Sequence, residues 1–263
     1  MAEKDKTPKG QKKSRIININ FVCSGNTCRS YIAEAIATYF LKTIYFKRKP
    51  NLKDRVNIGS AGTDVLFTEI PVNTFRVLDI FEIPNIKFKP TSIDSLIIKS
   101  SDLIITMAIS HKINIISRFI NTDKRKIFSL LELSNIILYI ESENIYKRGT
   151  IERTTPAIKK PTININIKNG IKDITSSKFS KKTLFPLQQP DKIFNRSGLL
   201  NQLSTIDNFF QKLRIIKDMG SESIIKPQII DIEDPFGRSI DKYIEVAKLI
   251  KENIITIFDY LFG

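Results

Sequence analysis

Two cysteines and one histidine are all the thiols and imidazoles that these 263 residues contain. The cysteines, Cys23 and Cys28, lie in one short stretch, so the count excludes a structural disulfide framework. One imidazole and two neighbouring thiols cannot close a tetrahedral zinc site, and no metal or other cofactor is expected. No apolar run reaches the length that spans a bilayer. Residues 1–15 lack the apolar segment of a secretory signal. Neither an internal repeat nor a recognised nucleic-acid motif is visible. The expected location is the cytoplasm, whose reducing conditions suit a free thiolate.

Acidic residues are also scarce. Twenty-seven Asp and Glu stand against 42 Lys and Arg, a formal net charge of +15. Residues 1–15 carry +4 and residues 140–230 carry +8, which leaves +3 for everything else. A groove for nucleic acid or an anionic membrane would gather that charge on the folded core. Its confinement to a tail and a central stretch argues for a Lys- and Ile-rich composition instead, and neither partner is expected. With 41% hydrophobic residues there is ample material for a core, in one large or two small domains.

The informative stretch is Phe21-Val-Cys-Ser-Gly-Asn-Thr-Cys-Arg-Ser30. An apolar strand from Ile16 to Val22 runs into a turn at Cys23. The turn holds Gly25 and Asn26, the residue types that most readily take positive φ. A helical pattern follows through Ile32, Ala33, Ala35, Ile36, Tyr39 and Phe40. Strand, tight loop and helix N-terminus together form an anion site, with loop N–H groups turned inward and the helix dipole behind them. Cys23 sits at its mouth, where that field favours the thiolate. Arg29 adds a planar fork that matches phosphate oxygens. A thiolate in a phosphate cradle is suited to removing a phosphoryl group through a covalent intermediate.

Cys-x5-Arg-Ser resembles the phosphatase loop of cysteine-dependent phosphatases. The longer string from Val22 to Glu34 is similar to the low-molecular-weight protein tyrosine phosphatase family, whose loop also lies near the N-terminus. Tyr31 departs from the pattern, standing where the family usually has Pro. The change is expected to be structurally mild and to leave the loop-to-helix junction less rigid. Downstream, Asp234-Pro235-Phe236-Gly237 resembles the family's Asp-Pro-aromatic element, followed by Ser239 and an amphipathic helix through Tyr243, Val246, Leu249, Ile250 and Ile254. Ser60–Thr63 after a strand at Val56–Ile58, Ser101–Met107 and Lys126–Leu130 are similar to further family segments. The resemblance implies an α/β three-layer sandwich with a four-stranded parallel sheet.

About 100 residues separate Leu133 from Asp234, where the family has a short connection. The domain reading is a basic flexible tail at 1–15, a phosphatase domain at 16–139 and 226–263, and an insertion at 140–225. The insertion is expected to be partly helical and partly disordered. Thr162 to Ile167 alternates like a weak strand. Leu199 to Ile216 has helical spacing, expected to pack on the phosphatase body.

The resemblance implies roles residue by residue. Cys23 is the nucleophile and Asp234 the general acid. Arg29 and the loop amides from Ser24 through Gly25, Asn26, Thr27 and Cys28 to Arg29 bind the phosphoryl oxygens. Ser30 donates to the thiolate, and Asn26 pins the loop. Cys28 is either a redox partner for Cys23 or a small buried residue; the resemblance favours the former. His111 has packing or solvent exposure as at least as good an account as a site role. Thr27 and Phe236 are the specificity positions. Thr27 resembles the bacterial protein-arginine phosphatase members, whereas tyrosine-directed members commonly carry an aliphatic residue there. The expected substrates are phosphorylated proteins, phosphoarginine before phosphotyrosine. An arsenate reductase-like enzyme ranks far behind, because no further cysteines exist to relay a disulfide. An inactive binding module is the alternative from another class, against which intact Cys23, Arg29 and Asp234 speak.

Overall fold

The computed structural model describes residues 15–147, 205–221 and 231–263. Residues 1–14 of the basic tail, the Thr162–Ile167 strand signal and most of the insertion lie outside them.

The chain begins with β1 (Ile17–Cys23) and α1 (Arg29–Phe40). A π-helical turn at Leu41–Tyr45 leads into α2 (Phe46–Arg48), followed by β2 (Val56–Gly62). Next come α3 (Val72–Ile80), α4 (Ser95–Ser100), β3 (Leu103–Thr106), α5 (Ile109–Arg118), β4 (Ile127–Ser129) and α6 (Leu130–Lys147). Helices α7 (Thr205–Ser221) and α8 (Ile240–Phe262) complete the described elements.

The four strands form one parallel sheet in the order β2-β1-β3-β4. Parallel strands need both faces covered, and two apolar clusters do this. Ile17, Ile19, Phe21, Leu103, Ile105 and Phe128 face a core supplied by α1, α3, α6, α7 and α8. Val22, Ile104 and Ile127 face a smaller one with Ile98 of α4 and Ile115 of α5. Three layers result, as the resemblance implies.

The chain leaves β1 for β2 on one side, then crosses back to β3 on the other. The crevice between the carboxyl ends of β1 and β3 is therefore the switch point at which open parallel sheets bind ligands. Cys23 ends β1 there.

Tyr31 corrects one expectation. It is fully buried, its ring packs on Phe88 at 4.2 Å and Phe75 at 6.1 Å, and its hydroxyl donates to Ile86 O. The junction that a proline would stiffen locally is instead anchored through space by an aromatic cluster.

Contact clustering divides the chain into Met1–Ser142 with Leu203–Gly263, and Glu143–Gln202. Of the second unit, only the last turn of α6 is described. Helix α7 belongs to the first. Its Ile206, Phe209, Leu213 and Ile216 recur at helical spacing and are buried in the main core, and Phe209 stacks on Phe262 of α8 at 5.5 Å. A Cβ at Gly220 would come within 2.9 Å of the Phe128 ring, so only glycine lets α7 approach β4 this closely. Burying four large apolar side chains contributes roughly 6–12 kcal/mol before ordering costs. The first unit thus draws on residues inside 140–225.

Candidate active site

The loop from Cys23 to Ser30 is held by its own side chains, by β2 and by the segment at Thr91. Asn26 takes φ 56°. Gly25 does not take a positive φ, so of the two candidates Asn26 alone does. One left-handed residue is enough for the turn, and Asn tolerates it because its amide bonds locally. Thr91 N donates to Asn26 Oδ1 at 2.9 Å, which fixes the amide orientation. Asn26 Nδ2 then donates to Ser30 Oγ at 2.9 Å and Ser60 Oγ at 2.8 Å. With Ser30 Oγ accepting there, its proton is left for Cys23 Sγ, 3.0 Å away. The Asn26 N–H reaches the same sulfur at 3.3 Å. Ser60 passes its own proton on to Glu34 Oε2 at 2.6 Å. Burial raises the Glu34 pKa, opposed by the Ser60 bond.

Beneath the loop, Cys23 pairs with Gly62, whose missing side chain makes room. A Cβ there would stand 2.4 Å from Ser24 O and 3.0 Å from Asn26 N. Thr63 N and Asp64 N donate to the carbonyls of Cys23 and Ser24 at 2.9 and 3.0 Å.

Arg29 opens α1 with its side chain buried. Nη1 donates to Ile232 O at 3.0 Å, and Nη2 to Asp234 Oδ2 at 2.5 Å. Nε is buried without a partner, an arrangement that an anion in the loop would complete. The segment carrying Asp234 is attached to the sheet end, since Ile232 N donates to Met107 O at 3.0 Å. Phe236 N donates to Asp234 Oδ1 at 3.1 Å and fixes the carboxylate in its turn. Asp234 remains 47% exposed by its side chain. Sequence positions 205 residues apart thus meet in one ion pair.

A single cleft is lined by Cys23, Ser24, Gly25, Thr27, Cys28, Arg29, Asp64, Leu66, Phe67, Asp234 and Phe236. Asp64, Leu66 and Phe67, from the connection after β2, have no counterpart among the sequence expectations. An adjacent apolar pair in a loop, without periodic partners, was the available signal. Leu66 is 80%, Phe67 66% and Phe236 57% exposed, giving the cleft an apolar rim.

Cys28 lies under the loop, its Sγ 3.5 Å from Tyr243 Oη and 3.6 Å from Thr74 Oγ1. Burial pushes its pKa up, against the hydrogen bonds from Tyr243, Thr74 and Thr27. Of the readings open for His111, solvent exposure is excluded: it is buried, and its Nε2 lies 2.9 Å from Ser24 Oγ. Helix α5 carries it behind the loop, a juxtaposition that a lone His in a sequence does not announce. Among the described residues no cluster of three or more His, Cys, Asp or Glu could hold a metal. No described helix is long and apolar enough to cross a membrane.

Residues 18–140 match the family model described as low molecular weight phosphotyrosine protein phosphatase. No curated protein matches the chain. Among solved structures, a low molecular weight phosphotyrosine phosphatase from Vibrio cholerae O395 is 14% identical, covers 92% of this chain and 95% of its own, and has a TM-score of 0.51. YfkJ from Bacillus subtilis gives 15%, 94%, 95% and 0.51 in the same order. The YwlE arginine phosphatase from Geobacillus stearothermophilus gives 17%, 92%, 91% and 0.48. At these identities the first two structures speak for the fold alone. Residues 18–140 thus resemble the low molecular weight phosphotyrosine protein phosphatase family, and the chain is a cysteine-dependent protein phosphatase.

Proposed function

We propose that the chain hydrolyses phosphorylated arginine side chains of proteins through a phosphocysteine intermediate. Cys23 attacks phosphorus in line, its thiolate held by the Ser30 hydroxyl and the Asn26 N–H. The loop amides and the unpartnered Arg29 Nε take the equatorial oxygens and follow them into the transition state. An arriving phosphate dianion competes with Asp234 for Arg29 Nη2. Released from that ion pair and set beside new negative charge, the carboxylate takes up a proton. It delivers this proton to the leaving group, then draws one from the water that splits phosphocysteine. Phosphate is released and the thiolate returns.

The observation that carries the arginine reading is a small set of oxygens in an otherwise largely apolar cleft wall. Thr27 lines it, and Asp64 and Asp234 are its carboxylates. A guanidinium leaving group brings several N–H donors and positive charge, which these oxygens can accept. The second reading, phosphotyrosine, is favoured by the apolar rim of Leu66, Phe67 and Phe236, a good bed for a phenol ring. The test is kcat/KM for matched phosphoarginine and phosphotyrosine peptides in the wild type and in Thr27→Ile. An unsatisfied donor costs about 1–3 kcal/mol. The arginine reading therefore expects arginine preference in the wild type and a shift of roughly ten- to a hundredfold towards tyrosine in the variant. Tyrosine preference in the wild type, unmoved by the substitution, assigns the enzyme to phosphotyrosine.

Cys28 is proposed as the redox guard of this nucleophile. Peroxide oxidises the Cys23 thiolate to a sulfenic acid, and the Cys28 thiol condenses with it, releasing water and forming a disulfide that external thiols reduce. Its partners Tyr243 and Thr74 hold it beneath the loop until then.

A further inference from the structure

His111 is the buried titratable side chain beside the loop that the mechanism above leaves unused. Its Nε2 meets Ser24 Oγ at 2.9 Å, and its Nδ1 is buried with no partner among the described residues. These two facts fix the tautomer. A proton on Nδ1 would be a buried donor with nothing to bond, the rarer and costlier defect; a bare lone pair there is better tolerated. The proton therefore sits on Nε2 and is donated to Ser24 Oγ. A doubly protonated ring would place a charged donor against the same empty space. This agrees with a pKa held down to about 4, by burial first and then by the Arg29 charge.

Once Ser24 Oγ accepts from the imidazole, its own proton must point elsewhere. Ser24 lines the cleft, next in sequence to the nucleophile. We propose that His111 is a positioning residue that turns the Ser24 hydroxyl into a donor aimed at the phosphoryl group, adding a side-chain donor to the loop's amides. The inference rests on the phosphatase reading. It makes Ser24 act through its side chain as well as its backbone. A donor held in one orientation before the reaction costs no reorganisation as charge builds on the transferring oxygens, so its contribution falls on the chemical step. With a free rotor instead, Ser24 would donate to water as often as to substrate.

The experiment uses the full chain, p-nitrophenyl phosphate as substrate, and inorganic phosphate and vanadate as ground-state and transition-state probes. Ser24→Ala and His111→Phe are each expected to lower kcat about tenfold, with KM little changed and vanadate binding weakened more than phosphate binding. The double variant should be no slower than either single one, because both remove the same donor. His111→Gln, which keeps an N–H donor of similar reach, should retain most of kcat. Ser24→Ala with wild-type kcat, single effects that multiply in the double variant, or a Gln variant as slow as Phe would overturn the inference while leaving the phosphatase reading intact. A wild-type chain that turns over no phosphate ester overturns both. If His111→Phe fails to fold, judged by its thermal transition, Ser24→Ala and His111→Gln decide between the same outcomes.

Discussion

Two segments face each other across one cleft and are built in opposite ways. Cys23–Ser30 is contiguous and largely buried, its side chains bonded within the loop, to β2 and to the elements packed around it. Ile232–Gly237 comes from far along the chain, leaves Asp234 and Phe236 exposed, and is tied down by a few bonds: Ile232 to Met107, Arg29 to Ile232 and Asp234, and Asp234 to Phe236. The loop must hold an anion in one geometry, which rewards rigidity. On the proposed mechanism the Asp234 segment lets substrate in, gives up its contact with Arg29 and admits water, which rewards looser attachment.

The sharpest way to break this comparison is Cys23→Ser. Turnover of any phosphate ester should vanish. Phosphate should still raise the thermal transition, because the amides and Arg29 remain. Turnover near the wild-type value would mean that the rigid loop is not where the bond is made.

Tyr31→Pro probes what makes the loop side rigid. Although proline suits the first turn of a helix, the ring packed on Phe75 and Phe88 is lost. The cavity should cost about 3 kcal/mol or more, a fall in Tm of roughly 6–12 °C by calorimetry. An unchanged Tm would show that the aromatic anchor adds nothing to the junction.

Asp234→Ala tests the looser side. It should slow poor leaving groups about a hundredfold and good ones much less, since only the former need the proton. The measurement is kcat across an aryl phosphate series of graded leaving-group acidity. Equal slowing along the series would remove Asp234 from the acid role.

The smallest expected effect is on stability against pH. His111 has its pKa lowered from 6.5 to about 4, with burial and Arg29 outweighing the opposing Asp231, Asp234 and Asp64. The unfolded chain therefore binds a proton that the folded one refuses. This contribution is in place above about pH 6.5 and is lost as pH falls towards 4, at up to about 1.4 kcal/mol per pH unit. Denaturant titrations should be shallower in pH for His111→Gln over that window, and identical slopes would refute the assignment.

Much of the fold and half of the site are legible in the sequence. Strand β1, the loop and α1 follow from a local run: apolar residues, then Gly-Asn, then a 3.6-residue period. Asn26 does take the left-handed turn. The parallel sheet comes with the family resemblance. The helical spacing near Leu199–Ile216 corresponds, where described, to Thr205–Ser221. Illegible were the residues whose role lies in what they touch. Tyr31 read as a lost proline because its partners Phe75 and Phe88 are distant in sequence. His111 read as a lone histidine because Ser24 is 87 positions away. Leu66 and Phe67 carried no expectation, because nothing local marks them as lining the cleft.

The sequence by itself determined the loop's chemistry, because the thiol, the guanidinium, the hydroxyls and the positive-φ residue sit within eight consecutive positions and need only local backbone preferences to converge. Tertiary structure alone decided what that chemistry faces. It brought the Asp234 carboxylate to Arg29, set an imidazole behind Ser24, and put Gly62 beneath the loop where a single Cβ would collide with the backbone. Those contacts arise from the order in which parallel strands are stacked and covered, a long-range packing outcome that no local propensity encodes.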